Sequence, residues 1–215
     1  QDELARRVIA GFHVEGPFLN PSPGFIGAHE PLCVRPANVD DAQRLLDAGA
    51  GLVKLFTLAP EQDAGSAVTG FLAEQGVVVS AGHCDPTLDQ LKAAIDKGLS
   101  MVTHFGNGCP VELPRHDNVL QRFLSLREHL WFCFIPDGAH VDFIALKNYL
   151  DFVGIERSIM TTDAISAAKL GPGLYEISGI SVEVDEAGVA RRPGSPNLAG
   201  STITMPGIRR NLSES

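Results

Sequence analysis

The sequence predicts an α/β fold in which parallel strands curl into a barrel, and two observations support this prediction. First, apolar runs of strand length alternate with segments of helical period along most of the chain. Second, several helical segments have a proline near the start and a glycine just past the end, which is the usual punctuation of helices. Strands that alternate with helices in this way indicate a parallel sheet joined by right-handed crossovers.

Six apolar runs are predicted to form the parallel strands. They are Val8–Val14, Gly51–Phe56, Val77–Ala81, Leu99–Thr103, Leu130–Ile135 and Ser158–Thr162. Helices are predicted from Val39 to Ala48, from Ala59 to Gln75 and from Asp85 to Lys97. A (β/α)8 barrel of the TIM type needs eight strands. We therefore expect about six of the eight β/α units in this chain, with the first two strands lying upstream.

The pattern changes after Asp163, where three shorter β-rich runs follow one another. These runs are Gly173–Ile177, Ile180–Val184 and Val189–Arg191. Short polar and glycine-containing segments join them, so we predict antiparallel pairing rather than further crossovers. The region is expected to be a loop insertion at the mouth of the barrel.

Composition narrows the function classes. The 215 residues, 44% of them hydrophobic, are enough for one domain with a sizeable core. With 17 basic and 26 acidic residues, the net charge of −9 argues against a nucleic-acid or anionic-membrane surface. The four cysteines form no Cys-x-x-Cys pair, so we expect no disulfide framework and a cytoplasmic protein. No apolar stretch reaches the roughly 18 residues of a membrane span.

Groups that can bind metal or move a proton follow the predicted strands. They are Glu15, His83, His104, His140 and Asp163. The carboxyl ends of barrel strands meet at one mouth, so these side chains can converge despite their separation in sequence. Two neutral imidazoles and one carboxylate are a common catalytic zinc set. The pattern therefore predicts a metal-dependent hydrolase that binds its metal through Glu15, His83 and His104, although each residue alone could be a structural cap or a core histidine.

Each of four further residues has two possible roles, one in the site and one outside it. Asp163 suits the role of general base, which takes a proton from water and later donates it to a leaving group, but it could equally cap a helix. His140 could polarise a carbonyl or hold a hydroxyl, or be structural. Arg115 could bind a phosphate in this acidic chain, or be a solvated surface arginine. His13 could line the site or be a buried, hydrogen-bonded histidine.

The segment Gly11–Asn20, followed by Gly27–Pro31, resembles the signature of the N-acetylglucosamine-6-phosphate deacetylases of the amidohydrolase superfamily. Further matching segments occur in the family's order and approximate spacing, so that the resemblance covers nearly the whole chain. They are Ala81–His83, Thr103–His104 with Asn107, Asp137–His140, Thr162–Ala164 and Leu198–Met205.

The resemblance implies one divalent metal, most often zinc, held by Glu15, His83 and His104. It also implies that Asp163 is the general base and acid, and that His140 contacts the substrate and helps to polarise the acetyl carbonyl. Residues 1–215 would then be a catalytic barrel truncated at both ends, cytoplasmic and homodimeric, with a small amino sugar phosphate as substrate. The substrate-binding positions implied are Ala28, His29, Asn107, Gly108, Arg115, Asp137, His140, Leu198, Ala199 and Gly200.

Two departures from the family pattern keep alternatives open. The family usually shows His-Leu-Phe-Asn-Ala-Met where this chain has His104–Pro110, and Pro114–Asn118 is also atypical. Both segments lie where sugar and phosphate are expected to bind. The alternatives are a deacetylase of N-acetylgalactosamine 6-phosphate or of an unphosphorylated N-acyl sugar, a non-catalytic sugar-phosphate sensor, and an inert barrel fragment. Some relatives carry a His-x-His pair for a second metal on the first strand, so the metal count also stays open.

Overall fold

The computed structural model describes residues 3–177, 179–195 and 197–214, and its main body is a half-barrel of parallel strands. The six strands are β1 Phe12–Glu15, β2 Val53–Leu58, β3 Val78–Ala81, β4 Leu99–Val102, β5 Trp131–Phe134 and β6 Ser158–Met160. They pair in chain order, each parallel to the next. The predicted α/β class and the predicted parallel order are confirmed.

Seven α-helices accompany the strands in the described residues. They are α1 Glu3–Val8, α2 Val39–Ala48, α3 Ala67–Glu74, α4 Leu88–Asp96, α5 Val119–Ser125, α6 Phe143–Val153 and α7 Met205–Glu214. The predicted boundaries of α2 are confirmed, and the Asn38 side chain caps it by accepting a hydrogen bond from the backbone N–H of Asp41. Helix α4 begins with a capping box between Thr87 and Gln90, which satisfies two backbone donors at once.

Two sequence predictions are wrong in detail. The segment from Ala59 to Gln75 is not one helix, because two short 3-10 turns precede α3. Gly65 and Ser66 lie in the second turn, directly before α3, with φ values of 64° and 55°, a left-handed conformation that cannot propagate a right-handed helix. The first strand is also shorter than predicted. Helix α1 occupies the chain as far as Val8, and β1 begins only at Phe12.

Aromatic packing supports the turn that follows β4. Phe105 is buried and lies edge-to-face against Phe132, with ring centroids 5.1 Å apart, and against Tyr149, with centroids 4.9 Å apart. Such pairs favour one ring orientation beyond the area they bury. The backbone N–H of Phe105 also donates to the carbonyl of Cys133, at 2.7 Å. The residue before it, His104, is therefore held by a rigid neighbour.

The predicted insertion is confirmed as a separate antiparallel sheet of three strands. They are β7 Gly173–Ile177, β8 Ile180–Val184 and β9 Ala190–Arg191. A small core of its own includes Val182, Val184 and Ala199, and Ala28 of the loop after β1 packs against it. The insertion thus contacts the loops at the carboxyl ends of the parallel strands.

Two further findings concern cysteines and membranes. All four cysteines are free thiols, as the sequence predicted. Among the described residues, none of the helices combines the length and the apolar character that crossing a bilayer requires.

Candidate active site

The ends of β1, β3 and β4 bring Glu15, His83 and His104 together, as the sequence predicted. The Oε1 atom of Glu15 lies 2.9 Å from Nε2 of His104 and 3.1 Å from Nε2 of His83. The two Nε2 atoms are themselves 3.1 Å apart. Both imidazoles are buried, and the Glu15 side chain is 21% exposed. Three donor atoms from three strands therefore meet at one point.

This set of donors fits a divalent metal. Zinc binds imidazole nitrogen and carboxylate oxygen at about 2.0–2.2 Å, so neighbouring ligands of a tetrahedral ion lie about 3.3 Å apart. The three observed separations are close to that value. Within the described part of the chain, these three residues are the one group of His, Cys, Asp and Glu side chains that meets the geometry of a metal site.

Without a metal, the triad favours an ionised Glu15 carboxylate and a protonated His104 imidazole. Burial would raise the pKa of Glu15, but the hydrogen bonds from His104 and His83 hold this pKa well below its ordinary value. Burial would lower the pKa of His104, yet its hydrogen bond to Glu15 raises this pKa overall. A proton and a metal cation would therefore compete for Nε2 of His104.

The loop after β1 fixes the orientation of His83. The Nδ1–H of His83 donates to the backbone carbonyl of Phe25, at 2.7 Å, which turns Nε2 toward the triad. The backbone N–H of Asn20 donates to the carbonyl of His83, at 2.9 Å. Glycine is required beside the ring, because a Cβ on Gly27 would lie 2.6 Å from Cε1 of His83.

Three of the predicted functional residues have strained backbones. His83, His104 and Asp163 have φ values of 51°, 31° and 46°, in a region that side-chain-bearing residues rarely adopt. All three follow the ends of parallel strands. Such strain persists only where surrounding structure imposes it, and it clusters at functional sites.

Asp163 is placed by the segment that follows the insertion. The backbone N–H of Ser201 donates to the carbonyl of Asp163, at 3.0 Å, and Ala164 forms a parallel bridge with Ser201. In the described chain, the residues after Asp163 form turns instead of a helix, so the helix-cap interpretation has no support. Its carboxylate lines the same cavity as the triad and acts electrostatically on His104.

His140 is held by Asp137 within one tight turn. The Nδ1–H of His140 donates to Oδ2 of Asp137 at 2.6 Å, and Oδ1 accepts the backbone N–H of His140 at 2.7 Å. Burial would raise the pKa of Asp137, but the bonds from His140 lower it below its ordinary value. With Nδ1 engaged, Nε2 is the ring atom of His140 that can interact with a substrate.

A cavity of about 690 Å³ opens above the triad. Eight predicted substrate-binding residues line it, namely Ala28, His29, Asn107, Gly108, His140, Leu198, Ala199 and Gly200. The ring of His29 packs edge-on against His83, with centroids 4.6 Å apart. Its burial lowers the pKa of His29 to about 4, so this imidazole is neutral at pH 7.

Two predicted substrate residues lie outside the lining of this cavity. Asp137 accepts hydrogen bonds from His140, which does line it. Arg115 is exposed in the loop between β4 and α5. Arg115 and Asp137 as substrate-binding residues stay predictions.

Sequence reasoning missed Arg192, which connects the insertion to the predicted substrate loop. Its Nη2 donates to the backbone carbonyl of Ala28, at 2.7 Å, and its buried Nε has no partner among the described residues. The basic pair Arg191–Arg192 at the end of β9 was a weak signal, because surface arginines are common. Arg191 also lines the cavity.

His13 is hydrogen-bonded, as one alternative had it, but it is exposed rather than buried. Its Nε2 lies 2.7 Å from Oγ1 of Thr57, which in turn lies 2.7 Å from Oγ1 of Thr103. The Oγ atom of Ser80 lies 2.6 Å from the same Oγ1 atom of Thr103. These hydroxyls tie the strands together just before the triad residues.

The chain is similar in sequence and in fold to known deacetylases. The chain is 31% identical over 216 residues to N-acetylglucosamine-6-phosphate deacetylase of Bacillus subtilis, covering 100% of this chain and 53% of that protein. The Mycobacterium smegmatis enzyme of the same name, solved as a D267A mutant with N-acetyl-D-glucosamine-6-phosphate, superposes with a TM-score of 0.86 at 35% identity. That match covers 97% of this chain and 55% of the other.

The chain is a relative of the N-acetylglucosamine-6-phosphate deacetylases. The resemblance predicted from its motifs is thus confirmed. The chain is also 30% identical over 206 residues to N-acetylgalactosamine-6-phosphate deacetylase of Escherichia coli O157:H7, covering 96% of this chain and 53% of that protein. No protein-family model matches the chain. It spans about half the length of the curated relatives it matches.

Proposed function

We propose that the chain is the core of a metal-dependent deacetylase with a (β/α)8 barrel. The enzyme hydrolyses the amide bond of N-acetylglucosamine 6-phosphate and releases acetate and the amino sugar phosphate. The observation that carries the proposal is the convergence of Glu15, His83 and His104 on one point, in a relative of such deacetylases.

Glu15, His83 and His104 would hold a zinc ion, since nitrogen and oxygen donors in this ratio suit it. Such an ion supplies Lewis acidity, which lowers the pKa of water towards about 7 and polarises a carbonyl. The carbonyl of Phe25 accepts the Nδ1–H of His83, so that Nε2 is the ring atom that faces the metal position. This ligand is thus oriented by the loop after β1.

Asp163 would move the proton that hydrolysis requires. Its carboxylate takes a proton from the attacking water and delivers it to the departing amine nitrogen, so that water adds across the amide bond. Its place beside the triad in the same cavity supports this role. His140, aligned by Asp137, would contact the substrate and hold the acetyl carbonyl in place for attack.

A substrate panel tests the proposal. The full-length protein is purified, its zinc content is measured, and acetate release is followed with N-acetylglucosamine 6-phosphate and with N-acetylglucosamine. We expect about one zinc per chain and turnover that prefers the phosphorylated sugar. Metal-free protein with no acetate release from either sugar would refute the proposal.

A second candidate substrate is N-acetylgalactosamine 6-phosphate. The similarity to the galactosamine enzyme and the atypical segment His104–Pro110 favour including it in the panel. The two sugars differ only in configuration at one hydroxyl. A kcat/KM that is higher for the galactosamine compound would reassign the substrate but leave the reaction unchanged.

A further inference from the structure

The Glu61 carboxylate connects the two loops that hold His83. Its Oε1 atom accepts a hydrogen bond from Nδ2 of Asn20, at 2.9 Å, and one from the backbone N–H of Asp85, at 2.6 Å. Asn20 lies in the loop after β1, and Asp85 lies two residues after His83 in the loop after β3. One oxygen atom therefore joins loops that are 65 residues apart in sequence.

The loop after β1 contacts His83 directly, and the loop after β3 contains it. Asn20 donates its backbone N–H to the carbonyl of His83, and Phe25 of the same loop accepts the Nδ1–H of the ring. His83 has a φ of 51°, so its position depends on contacts that hold a strained backbone. If the two loops separated, His83 could relax, and its Nε2 would leave the point where the triad meets.

In the described part of the chain, the Glu61 carboxylate forms hydrogen bonds and no ion pair. Among the described residues, no lysine, arginine or histidine forms an ion pair with it, and its buried Oε2 has no hydrogen-bond partner. Burial also raises the pKa of this carboxyl, against the pull of its hydrogen-bond donors. What the site uses is the accepting oxygen, and a neutral amide carries one too.

We propose that Glu61 is a positioning residue for the metal ligand His83. It acts through Asn20 and Asp85 and sets how well the triad binds a divalent cation. The inference rests on the proposed metal site but assigns a role to a residue outside it. Replacing a residue that orients a metal ligand through hydrogen bonds typically lowers metal affinity by about 10- to 100-fold.

The test compares Glu61→Ala, Glu61→Gln and a control in the full-length protein. The matched control is Asp63→Ala, since Asp63 is another buried carboxylate that accepts three hydrogen bonds, from Val68 and Thr69 of α3 rather than from the site. Zinc affinity is measured by competition with a chelator. The Co²⁺-loaded proteins are compared by their visible absorption, which reports ligand geometry.

We expect Glu61→Ala to weaken zinc binding by about 10- to 100-fold and to alter the Co²⁺ spectrum. Glu61→Gln should keep the affinity within about 3-fold, because its amide oxygen preserves the accepting atom. Asp63→Ala should lower the melting temperature without changing the zinc affinity. Unchanged affinity in Glu61→Ala, or an equal loss in Asp63→Ala, would overturn the inference.

Two further outcomes keep the test decisive. If Glu61→Ala does not fold, Asn20→Ala replaces it. This change removes the donor to Glu61 and the acceptor of the Ser22 N–H, and it keeps the backbone N–H that holds His83. Unchanged zinc affinity in Asn20→Ala would then overturn the inference. A wild-type protein that binds neither zinc nor Co²⁺ would instead overturn the proposed metal site itself.

Discussion

The triad of Glu15, His83 and His104 and the loops that carry the predicted substrate-binding residues, here called the recognition loops, border one cavity but differ in how the chain holds them. Glu15, His83 and His104 follow parallel strands, and the two histidines are buried by their neighbours. Arg115 lies instead in a long exposed loop, and Leu198 follows the small antiparallel sheet. A barrel can therefore keep its chemistry while its loops change the substrate.

The largest effect is expected on the triad side. His104→Ala removes one of three donors, and the remaining pair should no longer retain zinc, so activity should fall to background. Metal analysis of the purified full-length variant checks this expectation. His129→Ala, an exposed histidine outside the cavity, is the control and should keep full zinc and activity. Full metal occupancy in His104→Ala would remove His104 from the proposed ligands.

Asp163→Asn separates proton transfer from metal binding. The amide keeps the shape of the side chain but cannot accept the proton, so kcat should fall by about 10²- to 10⁴-fold. Zinc content and substrate binding should stay near wild type, because Asp163 is not in the triad. If both zinc and most of kcat survived, the proposed mechanism would lack its base.

The same contrast explains what could be predicted from the sequence. Glu15, His83 and His104 were identifiable because strand ends converge whenever parallel strands curl, which needs only the alternation of strands and helices. The broken start of α3 was not, because Ser66 in a left-handed conformation carries no sequence signal comparable to glycine.

The supporting contacts were also beyond sequence reasoning. Glu61 follows Ala59-Pro60 and looks like an acid in the first turn of a helix, whereas the structure gives it partners 41 and 24 residues away. Arg192 bonds to a carbonyl 164 residues distant. Long-range contacts of this kind depend on loop geometry, which a local pattern does not encode.

On the recognition side, Arg192→Ala should raise KM. The variant removes the charged donor to the carbonyl of Ala28, so the loop carrying His29 loses an anchor. A hydrogen bond to a charged group is worth about 1.5–3 kcal/mol. We expect KM to rise by about 10-fold, which corresponds to the lower end of that range, with little change in kcat. Steady-state kinetics of the full-length protein measure both constants. A fall in kcat with KM unchanged would place Arg192 with the chemistry instead of the recognition loops.

Arg115→Ala tests whether the exposed loop contributes to phosphate binding. Under the proposed function, KM should rise several-fold for the 6-phosphate sugar and barely change for its unphosphorylated analogue. The ratio of the two effects is the measurement that matters. Equal effects on both sugars would mean that Arg115 has a structural role.

The smallest expected effect concerns His29 and the pH dependence of stability. Its pKa is about 4 in the folded chain, chiefly because burial disfavours the charged ring, against an ordinary value of 6.5. Between these two pH values the unfolded chain binds a proton that the folded chain refuses, so stability falls as the pH drops from 6.5 towards 4. Above pH 6.5 the residue contributes no pH dependence.

His29→Asn should therefore flatten the melting temperature against pH within that window, and leave its slope above pH 6.5 unchanged. The effect is expected to be modest, because the His29 side chain is 29% exposed and solvent screens its charge. The measurement is the difference in melting temperature between wild type and variant at each pH, taken without metal. The protonation of Glu15 and His104 then largely cancels, since both proteins carry the triad. A difference that stays constant from pH 4 to 7 would mean that the pKa of His29 is the same in the folded and the unfolded chain. The His29 ring would then be as accessible to solvent as the exposed Arg115 side chain.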